Sequence, residues 1–137
     1  MMNYRKYALL VLFLTLASSV MLTACGGYSA TGYPAPVTVG STVQAVSCLT
    51  VTADASVSIL ASAFTPTSVN ISTNGVTKWT NNDGVAHTVT STTVPANGAF
   101  NVPMANLGSV CLKFTAIGTF NYYSLANLGM IGSVTVN

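Results

Sequence analysis

Few side chains in this sequence could do chemistry, and most of them contain sulfur. The 137 residues include three cysteines, five methionines and a single histidine, His87. The two acids, Asp54 and Asp83, are far apart in the sequence and form no clustered carboxylate pair for acid–base catalysis. Charged residues make up only 4% of the chain, and no basic patch is present. We therefore expect no nucleic-acid partner.

The first cysteine, Cys25, ends a segment typical of an export signal. A short basic start precedes residues 8–16, which are almost all apolar. Residues 22–25, Leu-Thr-Ala-Cys, resemble the lipobox of bacterial lipoproteins, in which the signal is removed before the cysteine and the thiol receives a diacylglycerol. Two or three acyl chains hold a protein stably on a membrane. The sequence therefore predicts a signal peptide over residues 1–24 and a lipid anchor at Cys25.

The alternative for this segment is an uncleaved transmembrane anchor that ends in a cysteine by chance. The lipobox resemblance implies a bacterial cell envelope. Because Gly26 and not Asp follows the cysteine, it implies the outer membrane if the host is Gram-negative. Residues 25–45 are rich in Gly, Pro, Ser and Thr, and we interpret them as a flexible tether.

From residue 46 onward, short runs of alternating apolar and polar residues are typical of β-strands. β-Branched and aromatic residues dominate these runs, and turn signals such as Asn74-Gly75 separate them. Seven or eight short strands in about 90 residues predict an all-β Greek-key β-sandwich over residues 46–137. The predicted strands are residues 47–52, 57–59, 69–71, 76–79, 87–90, 110–114, 120–122 and 134–136.

Several longer motifs follow one another in this domain. They are FTP at residues 64–66, GVTKWTNND at 75–83, HTVTS at 87–91, Tyr122-Tyr123, and MIGSVTV at 130–136. Their order and spacing resemble the plastocyanin- or amicyanin-type cupredoxins over roughly residues 55–137. The resemblance implies a sandwich of the cupredoxin type, with Trp79 and the tyrosine pair at packing positions.

The resemblance also implies where blue copper would bind, between two imidazoles and a thiolate with a weak axial thioether. His87 matches the first imidazole and Met130 matches the thioether. Ser124 stands at the thiolate position, and Asn127 stands at the second imidazole position. A serine hydroxyl does not ionise near neutral pH, and an amide oxygen is a poor ligand for a soft metal. We therefore expect no blue-copper electron transfer and no bound cofactor.

Two interpretations of the remaining groups stay open. His87, Met130 and Met104 could bind Cu(I), since thioethers suit that ion. The simpler interpretation is a histidine hydrogen-bonded by its neighbours, a Met130 that packs in the sandwich and a Met104 that fills a loop. A catalytic role for Ser124 would need an adjacent base and an orienting acid, and neither is found around it in the sequence, although His87 would lie nearby in the fold that the resemblance implies. We therefore expect no enzyme.

Cys48 and Cys111 remain once Cys25 carries lipid. An even pair in an oxidising exported domain suggests one disulfide. If Leu112 and Phe114 face the core, alternation places Cys111 on the outer face, where we expect it to be accessible. The bridge would add about 4 kcal/mol in the chain-entropy model. The alternative, in which both thiols bind copper, requires them to lie beside the histidine.

The sequence thus predicts a non-enzymatic, cupredoxin-like envelope lipoprotein that has lost its copper ligands and acts as a structural or interaction module. The alternative is a copper-binding or electron-transfer protein with a residual site at His87 and Met130. Besides the membrane, the expected partners are another envelope protein, or further copies of the chain along an exposed edge strand.

Overall fold

A computed structural model describes residues 37–92, 94–95 and 97–137. The signal peptide over residues 1–24, Cys25 and the tether up to residue 36 lie outside the described residues. The part described consists of eleven β-strands: β1 Thr38–Val39, β2 Val43–Val46, β3 Ala55–Leu60, β4 Ala63–Thr65, β5 Ser68–Ile71, β6 Val76–Asn81, β7 His87–Ser91, β8 Phe100–Met104, β9 Ser109–Phe114, β10 Gly118–Ser124 and β11 Asn127–Val136. Within these residues, no helix has the length and apolarity needed to cross a membrane.

The strands form two sheets that pack as a sandwich. The six-stranded sheet has the order β1-β8-β7-β10-β11-β5, and the five-stranded sheet has the order β2-β9-β6-β3-β4. Pairing is antiparallel except between β3 and β6 and between β5 and β11. The predicted all-β sandwich is therefore confirmed.

An aromatic core joins the two sheets. Alternation along β6 and β10 turns Trp79 and Tyr122 inward, where both are buried. Their rings meet edge to face with centroids 5.5 Å apart, and the ring of Phe64 meets that of Tyr122 at 4.9 Å. Tyr123, the next residue, lies on the outer face and is only partly buried. The packing role predicted for the tyrosine pair therefore holds for the first tyrosine alone.

The predicted start of the domain and the number of strands are wrong in three respects. Residues 38–45 do not behave as a tether, because β1 pairs with β8 and β2 pairs with β9. Residues 47–52 are turns and bends despite their alternation, and Leu49 there is 97% exposed. Strands β1, β4 and β8 are missing from the predicted set. Strands β1 and β4 are too short to show a period, and Pro103 interrupts the alternation of β8.

The structure joins Cys48 and Cys111 by a disulfide, with Cα atoms 5.3 Å apart. Leu112 and Phe114 face the core, as expected, so Cys111 is on the opposite side of β9. The expectation that Cys111 is accessible there is wrong, since it is only 1% exposed. The neighbouring strands β2 and β6, paired with it at Val46 and Lys78, flank the bridge.

Candidate functional site

His87 begins strand β7 at one end of the sandwich, and its side chain is buried. Ser124 ends strand β10, the neighbour of β7, and is 0% exposed. The structure brings these two side chains together, with 3.3 Å between His87 Nδ1 and Ser124 Oγ. The residues at the first imidazole and thiolate positions of the resemblance are therefore direct hydrogen-bond partners.

The second ring nitrogen of His87 is bound to Asp83. Its Nε2 lies 2.6 Å from Asp83 Oδ2, and because a carboxylate only accepts, Nε2–H is the donor. In the neutral imidazole with its proton on Nε2, Nδ1 accepts a hydrogen bond from the Ser124 hydroxyl. Both nitrogens of the imidazole are thus occupied by protein groups.

Asp83 also receives hydrogen bonds from the turn between β3 and β4. The backbone N–H and the hydroxyl of Ser62 donate to Asp83 Oδ2 over 3.0 and 3.3 Å. The hydrogen bond from His87 is the largest cause that holds the pKa of Asp83 below its usual value of 3.8, and the Ser62 bonds add to it. Desolvation opposes the shift without reversing it.

A buried asparagine shapes the loop that carries Asp83. Asn81 is 0% exposed, and its Nδ2 donates to the carbonyls of Val85 and Met104 over 2.8 and 3.0 Å. Its Oδ1 accepts the backbone N–H of Asp83 over 3.1 Å. These bonds fold residues 82–86 back so that the carboxylate reaches the histidine four positions later.

Ser124 also ties the hairpin between β10 and β11 to strand β7. Its Oγ accepts the backbone N–H of Thr88 over 3.2 Å. Thr88 in turn accepts the backbone N–H of Leu125 at its Oγ1 over 2.8 Å. The same hydroxyl that meets the histidine therefore fixes the start of the hairpin that corresponds to the ligand loop of the resemblance.

The remaining ligand positions point to other uses. Asn127 is exposed and paired with Ser124 across the hairpin, and its Oδ1 accepts the backbone N–H of Gly129 over 3.1 Å. Met130 is buried in the core and borders a small cleft of about 180 Å³. Met104 lies at the end of strand β8, opposite His87, and belongs to the same core. It is not the loop residue expected from the sequence.

Ser124 has an adjacent base in His87, as the resemblance implies, and also an orienting acid in Asp83, which the sequence around Ser124 does not show. The order is that of a catalytic triad, but Ser124 is completely buried and its oxygen already accepts the N–H of Thr88. A substrate carbonyl cannot approach this hydroxyl, so the arrangement suits hydrogen bonding within the fold and not acyl transfer.

The side chains present do not fit a blue-copper centre. Of the two residual candidates, His87 has both ring nitrogens engaged, and Met130 alone is a weak ligand. The sulfurs of Cys48 and Cys111 bond to each other and are unavailable as thiolates. Among the described residues, no group of three or more His, Cys, Asp or Glu side chains could hold a metal ion.

No family model matches the sequence, and no curated protein matches it. Solved structures do match. A proline-to-glycine mutant of amicyanin in its reduced Cu(I) form has a TM-score of 0.58 at 21% identity, over 74% of this chain and 98% of its own. A purple cupredoxin from Nitrosopumilus maritimus has a TM-score of 0.53 at 26% identity, over 61% of this chain and 100% of its own. The fold is cupredoxin-like. The resemblance noted in the sequence is thereby confirmed at the level of the fold.

Two residues whose hydrogen bonds organise this end of the cupredoxin-like domain have no predicted role in the sequence. Asp83 belongs to the motif at residues 75–83 and to the Asp-x-x-x-His spacing by which the resemblance assigns His87, but neither predicts a contact with the histidine, and Asn81 is given no role. That spacing of four residues is the signal that could have found the contact. The run Asn81-Asn82-Asp83-Gly84 is itself a turn signature, in which short polar side chains bond to nearby backbone.

Proposed function

We propose that this chain is a non-enzymatic, cupredoxin-like envelope lipoprotein that carries no blue-copper centre and acts as a structural or interaction module. The observation that carries the proposal is the hydrogen-bonded chain Asp83–His87–Ser124. These hydrogen bonds occupy both ring nitrogens of His87, which a metal would need. Ser124 places an alcohol where the resemblance requires a thiolate.

The hydrogen bonds of Asp83, His87 and Ser124 can hold neighbouring loops together, as a bound metal ion does in other proteins. They connect the β3–β4 turn at Ser62, the loop after β6 at Asp83, strand β7 at His87 and the β10–β11 hairpin at Ser124. Four segments that meet at one end of the sandwich are thus held without a cofactor. Such an end is suited to present a fixed surface to a partner, because its loops lose little further freedom on binding.

Copper titration of the purified full-length chain tests the proposal. Cu(II) is added directly, and Cu(I) is added with ascorbate; binding is read by native mass spectrometry and visible absorption. We expect no stoichiometric copper and no strong visible band. Stoichiometric binding that is lost in His87→Ala would contradict the proposal and favour the copper-binding alternative at His87 and Met130.

A variant of the same chain provides the positive control. Ser124→Cys combined with Asn127→His restores the thiolate and the second imidazole at the positions given by the resemblance. We expect this double variant to bind one copper ion and to become coloured. Failure to bind would count against the assignment of Ser124 and Asn127 to the ligand positions, separately from the result for the unaltered chain.

The lipid anchor is tested independently of copper. When the chain is expressed in bacteria supplied with labelled palmitate, we expect the label in the wild-type protein and in the membrane fraction. Cys25→Ser removes the acceptor thiol, so it should abolish the label. Equal labelling of the two proteins would contradict the anchor.

A further inference from the structure

The six-stranded sheet of this domain contains no charged residue of the Asp, Glu, Lys or Arg type. Strands β1, β5, β7, β8, β10 and β11 are built from other residue types throughout. The two lysines of residues 37–137, Lys78 and Lys113, lie on strands β6 and β9 of the other sheet. Asp54 and Asp83 lie in loops before β3 and after β6. With only four charged side chains in residues 37–137, this sheet has none of the charges with which a solvated face ordinarily opposes aggregation.

The outward side chains of this sheet form an array that consists mostly of hydroxyl and amide groups. Strand pairing aligns Asn121 with Ser133 and Ser133 with Ser68 across β10, β11 and β5. The hydroxyl of Ser133 lies 2.9 Å from that of Ser68. On the other side, Thr90 pairs with Asn101 and donates to its Oδ1 over 2.8 Å. Such groups both donate and accept hydrogen bonds, whereas ionised side chains do only one of these.

One aromatic ring stands within this array. Tyr123 faces outward and is partly buried; it pairs with Thr90 on one side and with Ile131, which is 63% exposed, on the other. We call this region the neutral face and define it by Asn121, Tyr123, Ile131 and Ser133. It combines an aromatic and an aliphatic side chain with neutral hydrogen-bonding groups.

A groove of about 330 Å³ crosses the neutral face between strands β10, β11 and β5. Its walls include three of the residues that define the neutral face, Asn121, Ile131 and Ser133, together with Thr67, Ser68, Thr92, Tyr122 and Gly132. The fourth, Tyr123, does not line the groove; it lies beside it, paired with Ile131. This volume is at the lower end of the roughly 300–1,000 Å³ typical of small-molecule sites. The groove is open and shallow, so it suits a segment of a chain lying across the strands better than an enclosed small molecule.

We propose that the neutral face binds an uncharged glycan. A sugar ring offers hydroxyls that donate and accept, which match the Ser, Thr and Asn side chains, and C–H faces that pack on Tyr123 and Ile131. A charged ligand would find no counter-charge on this sheet, and a purely apolar partner would make no use of the hydroxyl and amide groups on it. The inference names a class of partner for the proposed interaction module, and it rests on the proposal that the domain is such a module.

Co-sedimentation of the full-length chain tests the inference. The probes are insoluble cellulose, mannan and curdlan, which are uncharged, with cross-linked pectate and chitosan as anionic and cationic comparisons. The protein is kept in a polyoxyethylene detergent, since a sugar-based detergent would compete. We expect retention by at least one uncharged polymer and not by the ionic ones.

Two variants locate the binding. Tyr123→Ala removes the ring, and we expect about tenfold weaker retention. Ser133→Lys places a charge in the groove and should weaken retention at least as much. Gln44→Lys adds the same charge at an exposed position of the other sheet and should bind like the wild type. If Tyr123→Ala fails to fold, the two lysine variants decide.

Three results would overturn the inference: no retention by any uncharged polymer at the highest load, stronger retention by an ionic polymer, or equal retention of Ser133→Lys and Gln44→Lys. The copper titration probes His87 at one end of the sandwich, whereas co-sedimentation probes the outer face of a sheet. The two proposals can therefore fail separately.

Discussion

Replacing Ser124 with alanine tests whether the buried hydrogen-bonded chain holds this end of the domain together. The hydroxyl makes two hydrogen bonds, to His87 Nδ1 over 3.3 Å and from the N–H of Thr88 over 3.2 Å. Its removal loses both and leaves an acceptor and a donor with no partner in a buried setting. At about 1 kcal/mol for each bond, plus part of the desolvation cost of the orphaned groups, we expect a loss of about 2–3 kcal/mol.

Equilibrium unfolding in urea, followed by tryptophan fluorescence, measures this loss. Trp79 is the only tryptophan in the sequence and is completely buried, so its emission reports the opening of the core. In thermal unfolding the same loss should lower Tm by roughly 10–20 °C for a domain of about 100 residues.

A second serine-to-alanine substitution serves as the matched control. Ser109 also makes a side-chain hydrogen bond, over 3.1 Å to Thr80 Oγ1, but at an exposed position. Ser109→Ala should change stability by less than about 0.5 kcal/mol. If Ser124→Ala were as mild as this control, the hydrogen-bonded chain would not be the element that organises this end of the sandwich.

Three further predictions concern other parts of the domain. Replacing both Cys48 and Cys111 with serine removes a bridge over a sequence separation of 63 residues, and the free energy of unfolding should fall by about 4 kcal/mol in urea titrations; an unchanged value would contradict this. The pKa of Asp83 is lowered in the fold, so its contribution to stability is complete above 3.8 and is lost as the pH falls from there through the folded-state pKa. In urea unfolding at a series of pH values, Asp83→Asn should therefore reduce the fall in the free energy of unfolding at acid pH. A pH dependence identical to that of the wild type would refute the role of the carboxylate. Gly132→Ala would place a Cβ 2.5 Å from the buried ring of Tyr122, and calorimetry should show a destabilisation of about 1–3 kcal/mol, where neutrality would show that the ring can move.

Much of the fold could be predicted from the sequence because long strands carry a clear period. Strands β6, β9 and β10 bury alternate residues around Trp79, Phe114 and Tyr122, and the period appears directly in the residue types. Strand β1 has two residues and owes its existence to pairing with β8, which no local pattern can reveal. Residues 47–52 show the converse, since their alternation is not supported by any partner strand and Leu49 remains in solvent.

The candidate site could be predicted only in part. The resemblance identified His87 and Ser124 as neighbours, because they occupy matched positions in adjacent strands. It could not reveal the contact with Asp83, which depends on a loop folded by the side chain of Asn81. Contacts of that kind arise from irregular backbone and not from strand register, so a periodic pattern carries no information about them.

The most direct test of the account is the metal content of the protein as cells make it. The full-length chain would be expressed with its own leader in copper-supplemented medium, extracted from membranes in detergent without chelators, and examined by elemental analysis and visible spectroscopy. We predict a colourless protein with copper far below one ion per chain. A blue protein with one copper in each molecule would contradict the account. It would mean that this fold still binds copper although Ser124 and Asn127 stand at the thiolate and second imidazole positions.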